Sequence, residues 1–276
     1  MTEVAVLGPG GVGGVLAARL GIAGHDVTVI ATDRTAAEIT ARGLSFTAPD
    51  GEHLTFPEAR PWLTKPVDVL FIAVKATDLL PALQRVAAGF AGTVVPLLNG
   101  VDHMPLLRAT HPKVVAASIA VEAARHRPGV IEQLSVMCDV VVADEDVAVL
   151  LRDAGFRVSV APDDDTVLWG KLSFLAPFAL VTTGVNAPLG EARTSPWLRP
   201  LIDETAAAAA TRGVEVDADV IEARLRAAPE QMKSSMLRDR EAGRPLELDA
   251  IAGPVIRALG TEKAATTVEV VRAILG

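Results

Sequence analysis

The feature that most constrains the fold is a glycine-rich turn near the start of the chain. Gly8, Gly10 and Gly13 have the G-x-G-x-x-G spacing, between an apolar run at residues 3–7 and a helical pattern. A second apolar run at residues 26–30 completes a βαβ unit. In such a unit the first glycine allows a tight turn, the second lets the backbone approach a pyrophosphate, and the third lets the helix pack on its strand. The pattern predicts a dinucleotide-binding turn formed by Gly8, Gly10, Gly11, Val12 and Gly13.

The rest of the chain divides into an alternating part and a helical part. β-type runs alternate with helical segments such as residues 79–88, and these runs lie at residues 67–74, 93–97, 114–119, 121–142 and 156–160. Such alternation is typical of a parallel sheet with helices on both faces. After residue 166 helical patterns dominate, at residues 201–212, 219–227, 231–242, 247–259 and 261–275. We predict an α/β protein with an N-terminal Rossmann-type doubly wound sheet (residues 1–161) and an all-helical C-terminal substrate domain (residues 162–276).

Composition excludes several classes of function. The net charge of −8 disfavours a broad contact with nucleic acid. One cysteine, Cys138, excludes a disulfide framework and a cysteine-rich zinc site, and no metal site is expected. The absence of tyrosine excludes a Tyr–Lys acid/base pair. The longest apolar stretch, Leu172 to Val181, is about half a bilayer span, so we expect no membrane partner and a cytoplasmic protein.

The end of the second predicted strand bears on the choice of cofactor. Enzymes that use NAD usually carry an acidic residue at this position to hold the ribose hydroxyls. Here the strand ends in Ile30-Ala-Thr-Asp-Arg, with Asp33 displaced outward. A hydroxyl at Thr32 and a guanidinium at Arg34 suit a 2′-phosphate, so the sequence favours NADP, although Asp33 could still serve NAD.

Four further motifs identify a family resemblance. They are Lys75-x-x-Asp78 and Asn99-Gly100 after predicted strands, Trp169-x-Lys171-Leu172 after the domain boundary, and Ser235-Met-Leu followed by Glu247-x-Asp249. Together they resemble the ketopantoate reductase (2-dehydropantoate 2-reductase) family over nearly the whole chain. The resemblance implies a Rossmann domain, a helical domain and an active site in the cleft between them.

The resemblance also implies a reaction and a set of roles. The reaction is NADP-dependent reduction of a 2-oxo acid, such as 2-dehydropantoate, to the 2-hydroxy acid in pantothenate biosynthesis. Lys171 resembles the catalytic general acid and Glu247 its carboxylate partner. Ser235 and Asn99 resemble substrate-binding residues, and Lys75, Asn99 and Glu247 resemble residues at the cofactor.

Two departures from the family pattern leave alternatives open. Leu175 and Ala179 stand where relatives carry asparagines that bind the substrate, and Thr32 stands where many relatives carry an arginine for the phosphate. A relative that reduces a more apolar carbonyl compound is one alternative. A non-catalytic NADP(H)-binding sensor and a 3-hydroxyacid dehydrogenase are others. The apolar helical domain could also form a homodimer.

Overall fold

A computed structural model describes residues 1–276, which form two compact units. The sheet unit contains Met1–Leu98 and His103–Val167, and the helical unit contains Asn99–Asp102 and Leu168–Gly276. The predicted α/β class with a helical C-terminal region is confirmed. The predicted domain boundary after residue 161 stays a prediction.

The sheet unit contains ten strands and five complete helices. The strands are β1 (Glu3–Leu7), β2 (Asp26–Ile30), β3 (Leu44–Ala48), β4 (Gly51–Thr55), β5 (Glu58–Arg60), β6 (Val67–Ile72), β7 (Ala91–Pro96), β8 (Ala117–Arg127), β9 (Val130–Val142) and β10 (Arg157–Val160). The helices are α1 (Gly11–Ile22), α2 (Asp33–Arg42), α3 (Leu79–Leu83), α4 (His103–Arg108) and α5 (Glu145–Asp153), with a 3₁₀ turn at Ala76–Asp78.

The first sheet is entirely parallel and has the order β5-β2-β1-β6-β7. The central strands β2, β1 and β6 are short, mainly apolar runs buried on both faces, as in β1, where Val4 to Leu7 are at most 1% exposed, whereas the edge strand β5 is polar and partly exposed. Because parallel strands end at the same edge, the residues that follow β2, β1 and β6 lie along one edge of this sheet. Ligands bind at the carboxyl edge in sheets of this kind.

The second sheet corrects the expectation of a single parallel sheet. Its order is β10-β9-β3-β4, and β8 pairs with β9. The β3–β4 and β8–β9 pairs are antiparallel, whereas β9 is parallel to β3 and β10. Two predicted elements also have different bounds. The helix predicted at 79–88 ends at Leu83, and the strand predicted from Val114 begins at Ala117, since Val114 makes only an isolated bridge to Val94.

Helix α1 packs closely against strands of both sheets. A Cβ on Gly13 would lie 2.2 Å from the carbonyl oxygen of Gly8, and a Cβ on Gly11 would lie 2.9 Å from the carbonyl oxygen of Ala123 on β8. Val15 is fully buried in the common core of the unit. The glycines therefore permit a helix–sheet approach that side chains would block.

The helical unit is built around one long helix, α6 (Asp164–Val185), whose first residues belong to the sheet unit. The other helices are α7 (Leu189–Ala192), α8 (Leu198–Ala210), α9 (Ala218–Ala227), α10 (Ser235–Glu241), α11 (Leu248–Leu259) and α12 (Ala265–Leu275). Helix α10 begins four residues later than predicted, because Ser234 is its N-cap and its hydroxyl accepts a hydrogen bond from the Leu237 amide at 3.0 Å.

Helix α6 is long and apolar enough to cross a membrane by length and composition alone. Its 22 residues include an 18-residue window of mean hydropathy 1.3, but 72% of that window is buried inside the protein. Such burial is typical of the central helix of a packed domain, whose apolar side chains already have protein partners.

Candidate active site

The glycines of the turn between β1 and α1 differ in whether the fold itself requires them. Gly8 and Gly13 are required, whereas Gly10 is not. Gly8 has a φ of +91°, and a Cβ there would lie 2.5 Å from the Val74 side chain. Gly13 is equally constrained by the carbonyl oxygen of Gly8. At Gly10, however, φ is −73° and a Cβ would meet nothing within 4 Å. The open space at Gly10 fits the close approach of a phosphate group.

The start of α1 can bind an anion. Its N-cap is Gly10, which provides no side-chain hydrogen bond to the first turn. The first amides of a helix have no acceptor within the helix, and those of Gly11 and Val12 belong to this group. Together with the positive end of the helix dipole, they favour a bound phosphate.

The neighbouring strand ends bring three more predicted residues to the same sheet edge. Thr32 is the N-cap of α2, and its hydroxyl accepts a hydrogen bond from the Thr35 amide at 3.4 Å. Arg34 lies in the first turn of α2 and is exposed. Lys75 follows β6, is half-buried, and is adjacent to Val74, which contacts the glycine turn. Thr32 is therefore occupied in part by capping, whereas Arg34 presents its charge to solvent.

Lys171 lies on α6 at the border between core and surface. Trp169 and Leu172 are 3% and 1% exposed, whereas Lys171 itself is half-buried. Burial lowers the pKa of Lys171 to about 8, and the negative charge of Glu247 raises it and so opposes part of that effect. An amine with this pKa can give up or take up a proton near neutral pH.

Glu247 and Asn99 form the second part of this cluster in the helical unit. Glu247 is the N-cap residue of α11 and is 6% exposed. The side-chain amide of Asn99 donates a hydrogen bond from Nδ2 to Oε2 of Glu247 at 3.1 Å. A buried carboxylate is costly unless it is hydrogen-bonded or paired. The structure thus brings together Lys171, Glu247 and Asn99, which the sequence spreads over nearly 150 positions.

The two serines before α10 have different surroundings. Ser235, the predicted substrate-binding residue, is the first residue of α10 and is exposed. Ser234 is 1% exposed, and its hydroxyl is 2.9 Å from that of Thr182 on α6. Ser234 and Thr182, which fix α10 on α6, are not predicted as site residues by the sequence motifs. The signal available was the serine immediately before a helical pattern.

An apolar strip follows Lys171 along α6. Leu175 and Ala179 are four and eight residues further on, so they share its face of the helix. Leu175 is half-buried and Ala179 is fully buried. One turn after Lys171, the half-buried Leu175 thus offers carbon atoms, and no amide group, to a neighbouring molecule, whereas Ala179 has no exposed surface.

A glycine-rich turn that joins a parallel strand to a helix is typical of dinucleotide-binding folds, and a lysine–carboxylate cluster fits acid–base chemistry, so both features fit an NAD(P)-dependent oxidoreductase. Two family models match the chain. Ketopantoate reductase PanE/ApbA matches residues 4–146, and Ketopantoate reductase PanE/ApbA C terminal matches residues 165–275. The chain therefore belongs to the ketopantoate reductase family, as the sequence motifs predict, and it is an oxidoreductase that acts on CH–OH groups.

Individual relatives agree with this membership. The chain is 34% identical over 271 residues to a 2-dehydropantoate 2-reductase of Mycobacterium tuberculosis, covering 93% of this chain and 90% of that protein. It is 30% identical over 272 residues to a 2-dehydropantoate 2-reductase of Caulobacter vibrioides, covering 93% and 92%.

Solved structures share the fold over nearly the full length. A ketopantoate reductase from Ralstonia eutropha has a TM-score of 0.86 at 23% identity, covering 98% of this chain and 97% of that one. A D-mandelate dehydrogenase with NADH and anilino(oxo)acetate has a TM-score of 0.86 at 19% identity, with the same coverage. At these identities the likeness shows the fold.

Proposed function

We propose that the protein reduces a 2-oxo acid to the 2-hydroxy acid with NADPH, and that Lys171 is the general acid. The observation that carries the proposal is the cluster in the helical unit, where the buried Glu247 carboxylate accepts a hydrogen bond from Asn99 and its charge acts on Lys171, whose pKa burial lowers to about 8. Family membership supports the reaction class, and 2-dehydropantoate is the substrate named for the curated relatives.

The proposed chemistry needs a proton at the carbonyl oxygen. A bound NADPH would supply the hydride that adds to C2 of the oxo acid. Lys171 donates a proton from Nζ to the oxygen, and its positive charge stabilises the negative charge that develops there. Glu247 keeps the lysine protonated, because its charge raises the pKa of Lys171 against the effect of burial. Asn99 orients the carboxylate through its hydrogen bond, and Ser235 holds the substrate carboxylate.

The residues that we assign to NADP lie in the glycine turn and at the ends of the neighbouring strands. We assign the pyrophosphate to the start of α1 and the 2′-phosphate of NADP to Arg34, with Thr32 beside it. The exposed guanidinium of Arg34 supports this choice over NAD. The full set of proposed cofactor residues is Gly8, Gly10, Gly11, Val12, Gly13, Thr32, Arg34, Lys75, Asn99 and Glu247.

A second candidate is a reductase for a more apolar 2-oxo acid. Leu175 and Ala179 favour it, since a site that lacks hydrogen-bonding partners gains nothing from a substrate hydroxyl and must desolvate it. The fold neighbour whose structure holds anilino(oxo)acetate, an oxo acid with an aromatic group, gives a precedent on this fold.

The test is NADPH oxidation by the purified protein against a panel of 2-oxo acids, with NADH in parallel. The panel pairs 2-dehydropantoate with an aliphatic acid of similar size that lacks the hydroxyl, and with an aromatic oxo acid. Faster turnover with NADPH than with NADH supports the cofactor assignment. Preference for the hydroxyl-free acids selects the second candidate, and preference for 2-dehydropantoate selects the first. Tight NADP(H) binding without any turnover would contradict both and favour the sensor.

A homodimer formed through the helical unit and a cytoplasmic location remain part of the proposal. Light scattering that finds only monomer at micromolar concentration would contradict the dimer.

A further inference from the structure

The segment Asn99–Asp102 groups with the helical unit, whereas the residues on both sides of it group with the sheet unit. We propose that Arg257 is a positioning residue that holds this segment on α11, so that Asn99 can hold the Glu247 carboxylate. The inference rests on the proposed function, because it concerns the same lysine–carboxylate cluster.

Two contacts hold the segment on α11. The guanidinium of Arg257 bridges two carboxylates, since it pairs with Asp102 of the segment and donates from Nη1 to Oδ1 of Asp249 at 2.9 Å. Gly100 has a φ of +83°, and a Cβ there would lie 2.2 Å from the carbonyl oxygen of Ala250 on α11. The backbone of the segment therefore lies directly against the first turn of the helix that Glu247 caps.

The shape of α11 lets Arg257 reach back to the segment. A Cβ on Gly253 would lie 2.2 Å from the Arg257 guanidinium. Arg257 thus lies along the helix over a position without a side chain, and it reaches Asp249, which lies two turns earlier on α11, as well as Asp102 of the segment. Burial lowers the pKa of Arg257, but the contacts with Asp249 and Asp102 outweigh that effect and raise it, so the guanidinium stays charged.

This arrangement determines the position of Asn99, the residue before Gly100. Asn99 is fixed at the start of the segment, and its amide donates to the carboxylate of Glu247 at 3.1 Å. Glu247 in turn acts on Lys171. Arg257 contacts Asp102, the last residue of the segment, and Asp249 in the first turn of α11. It acts through the segment, and an exposed ion pair of this kind contributes little to global stability.

The first test observes Asn99 directly and requires no activity. The chain has two asparagines, Asn99 and Asn186, so the full-length protein labelled with [¹⁵N]asparagine gives two pairs of side-chain N–H signals, one pair for each residue. Asn186 is exposed and serves as an internal reference. In the wild type, the Asn99 side-chain amide protons should exchange with water several-fold more slowly than those of Asn186. In Arg257→Gln this protection should be lost, and an unchanged Asn99 signal would overturn the proposal.

Arg199 provides a matched control in the same unit. Its side chain is 46% exposed, against 49% for Arg257, and it also bridges several carboxylates, namely Asp203, Asp219 and Glu222. Because both arginines are about half exposed, neither substitution opens the core. Arg199→Gln should leave the Asn99 amide signal unchanged. Equal loss of protection in both variants would indicate general loosening and would overturn the specific role of Arg257.

The second test is a double-mutant cycle on kcat with the best 2-oxo acid. Arg257→Gln should lower kcat about fivefold, the upper range for loss of an exposed ion pair. In the Asn99→Ala background the same substitution should lower kcat no further, because the residue through which it acts is absent. An equal further loss would overturn the proposal. Absence of turnover by the wild-type protein would contradict the proposed function, while the amide measurement would still decide the role of Arg257.

Discussion

Replacing Lys171 with methionine should stabilise the protein while it removes the proposed acid. Burial lowers the pKa of Lys171 from the ordinary value of 10.5 to about 8. Each pKa unit corresponds to about 1.36 kcal/mol, so a shift from 10.5 to about 8 means that the charged lysine costs the folded protein at most about 3 to 4 kcal/mol at neutral pH. Methionine has a similar length and no charge, and it avoids this cost. The gain is of the kind expected when a functional group is held in an environment that disfavours it.

The pH dependence of the gain follows from the same pKa. Below pH 8 both the folded and the unfolded chain carry the ammonium, so the variant has its full advantage. Between pH 8 and 10.5 the folded wild type has already lost the proton that its unfolded chain retains. Wild-type stability therefore rises with pH relative to the variant in this range. Above pH 10.5 Lys171 is neutral in both states and the difference disappears.

Urea unfolding at pH 7 and at pH 10 measures the difference, with tryptophan fluorescence as the signal. Trp169 and Trp197 report on the helical unit, which contains Lys171. Lys263→Met is the matched control, because Lys263 is exposed, and its effect should stay within about 0.5 kcal/mol at both pH values. A Lys171→Met variant that is less stable than wild type at pH 7, or whose advantage does not shrink at pH 10, would refute the reasoning.

Three further predictions concern activity and cofactor binding. The kcat for reduction should fall as the pH rises through about 8, where Lys171 loses its proton. Glu247→Gln should move that fall to lower pH, because it removes the charge that raises the pKa of Lys171. A pH–rate profile of each protein measures both effects, and an identical profile for the variant would contradict the pairing of Lys171 with Glu247. Gly10→Ala should weaken NADPH binding at least tenfold, as measured by isothermal titration calorimetry, and should leave the Tm unchanged. Gly13→Ala should lower the Tm, because its Cβ would lie 2.2 Å from a backbone oxygen. Equal Tm losses in the two variants would contradict the assignment of Gly10 to the ligand. Leu175→Asn should shift the kcat/KM ratio about tenfold towards the oxo acid that carries a hydroxyl, and a constant ratio would place the substrate elsewhere.

The sequence predicts correctly those strands and helices whose patterns depend on residues close together in the chain. The strand–turn–helix–strand unit at the N-terminus matches the structure, because apolar runs and glycine spacing are determined by near neighbours in the chain. Strands β3 and β4 were missed. Strand β3 has only five residues, and its parallel partner lies far along the chain, with Ser45 opposite Val130. Short strands with distant partners carry little periodic signal.

The residues of the candidate site can be predicted from sequence motifs, but their contacts cannot. The family motifs selected Lys171, Glu247 and Asn99, but no local pattern places an amide donor against a carboxylate 148 residues away. The ion pair between Arg257 and Asp102 spans 155 residues and has no sequence signal at all. Contacts of this range depend on how helices pack, which is a property of the folded chain.

The central claim is that Lys171 donates the proton in a carbonyl reduction, and kcat of Lys171→Ala tests it most directly. The measurement uses saturating NADPH and the best 2-oxo acid of the panel, with Lys263→Ala as the control and NADPH affinity determined for each protein. General acid catalysis contributes about 10²- to 10⁴-fold, so kcat of Lys171→Ala should fall by that factor with unchanged NADPH affinity, and the control should match the wild type. A Lys171→Ala variant that retains kcat within a factor of about ten would remove Lys171 from the mechanism.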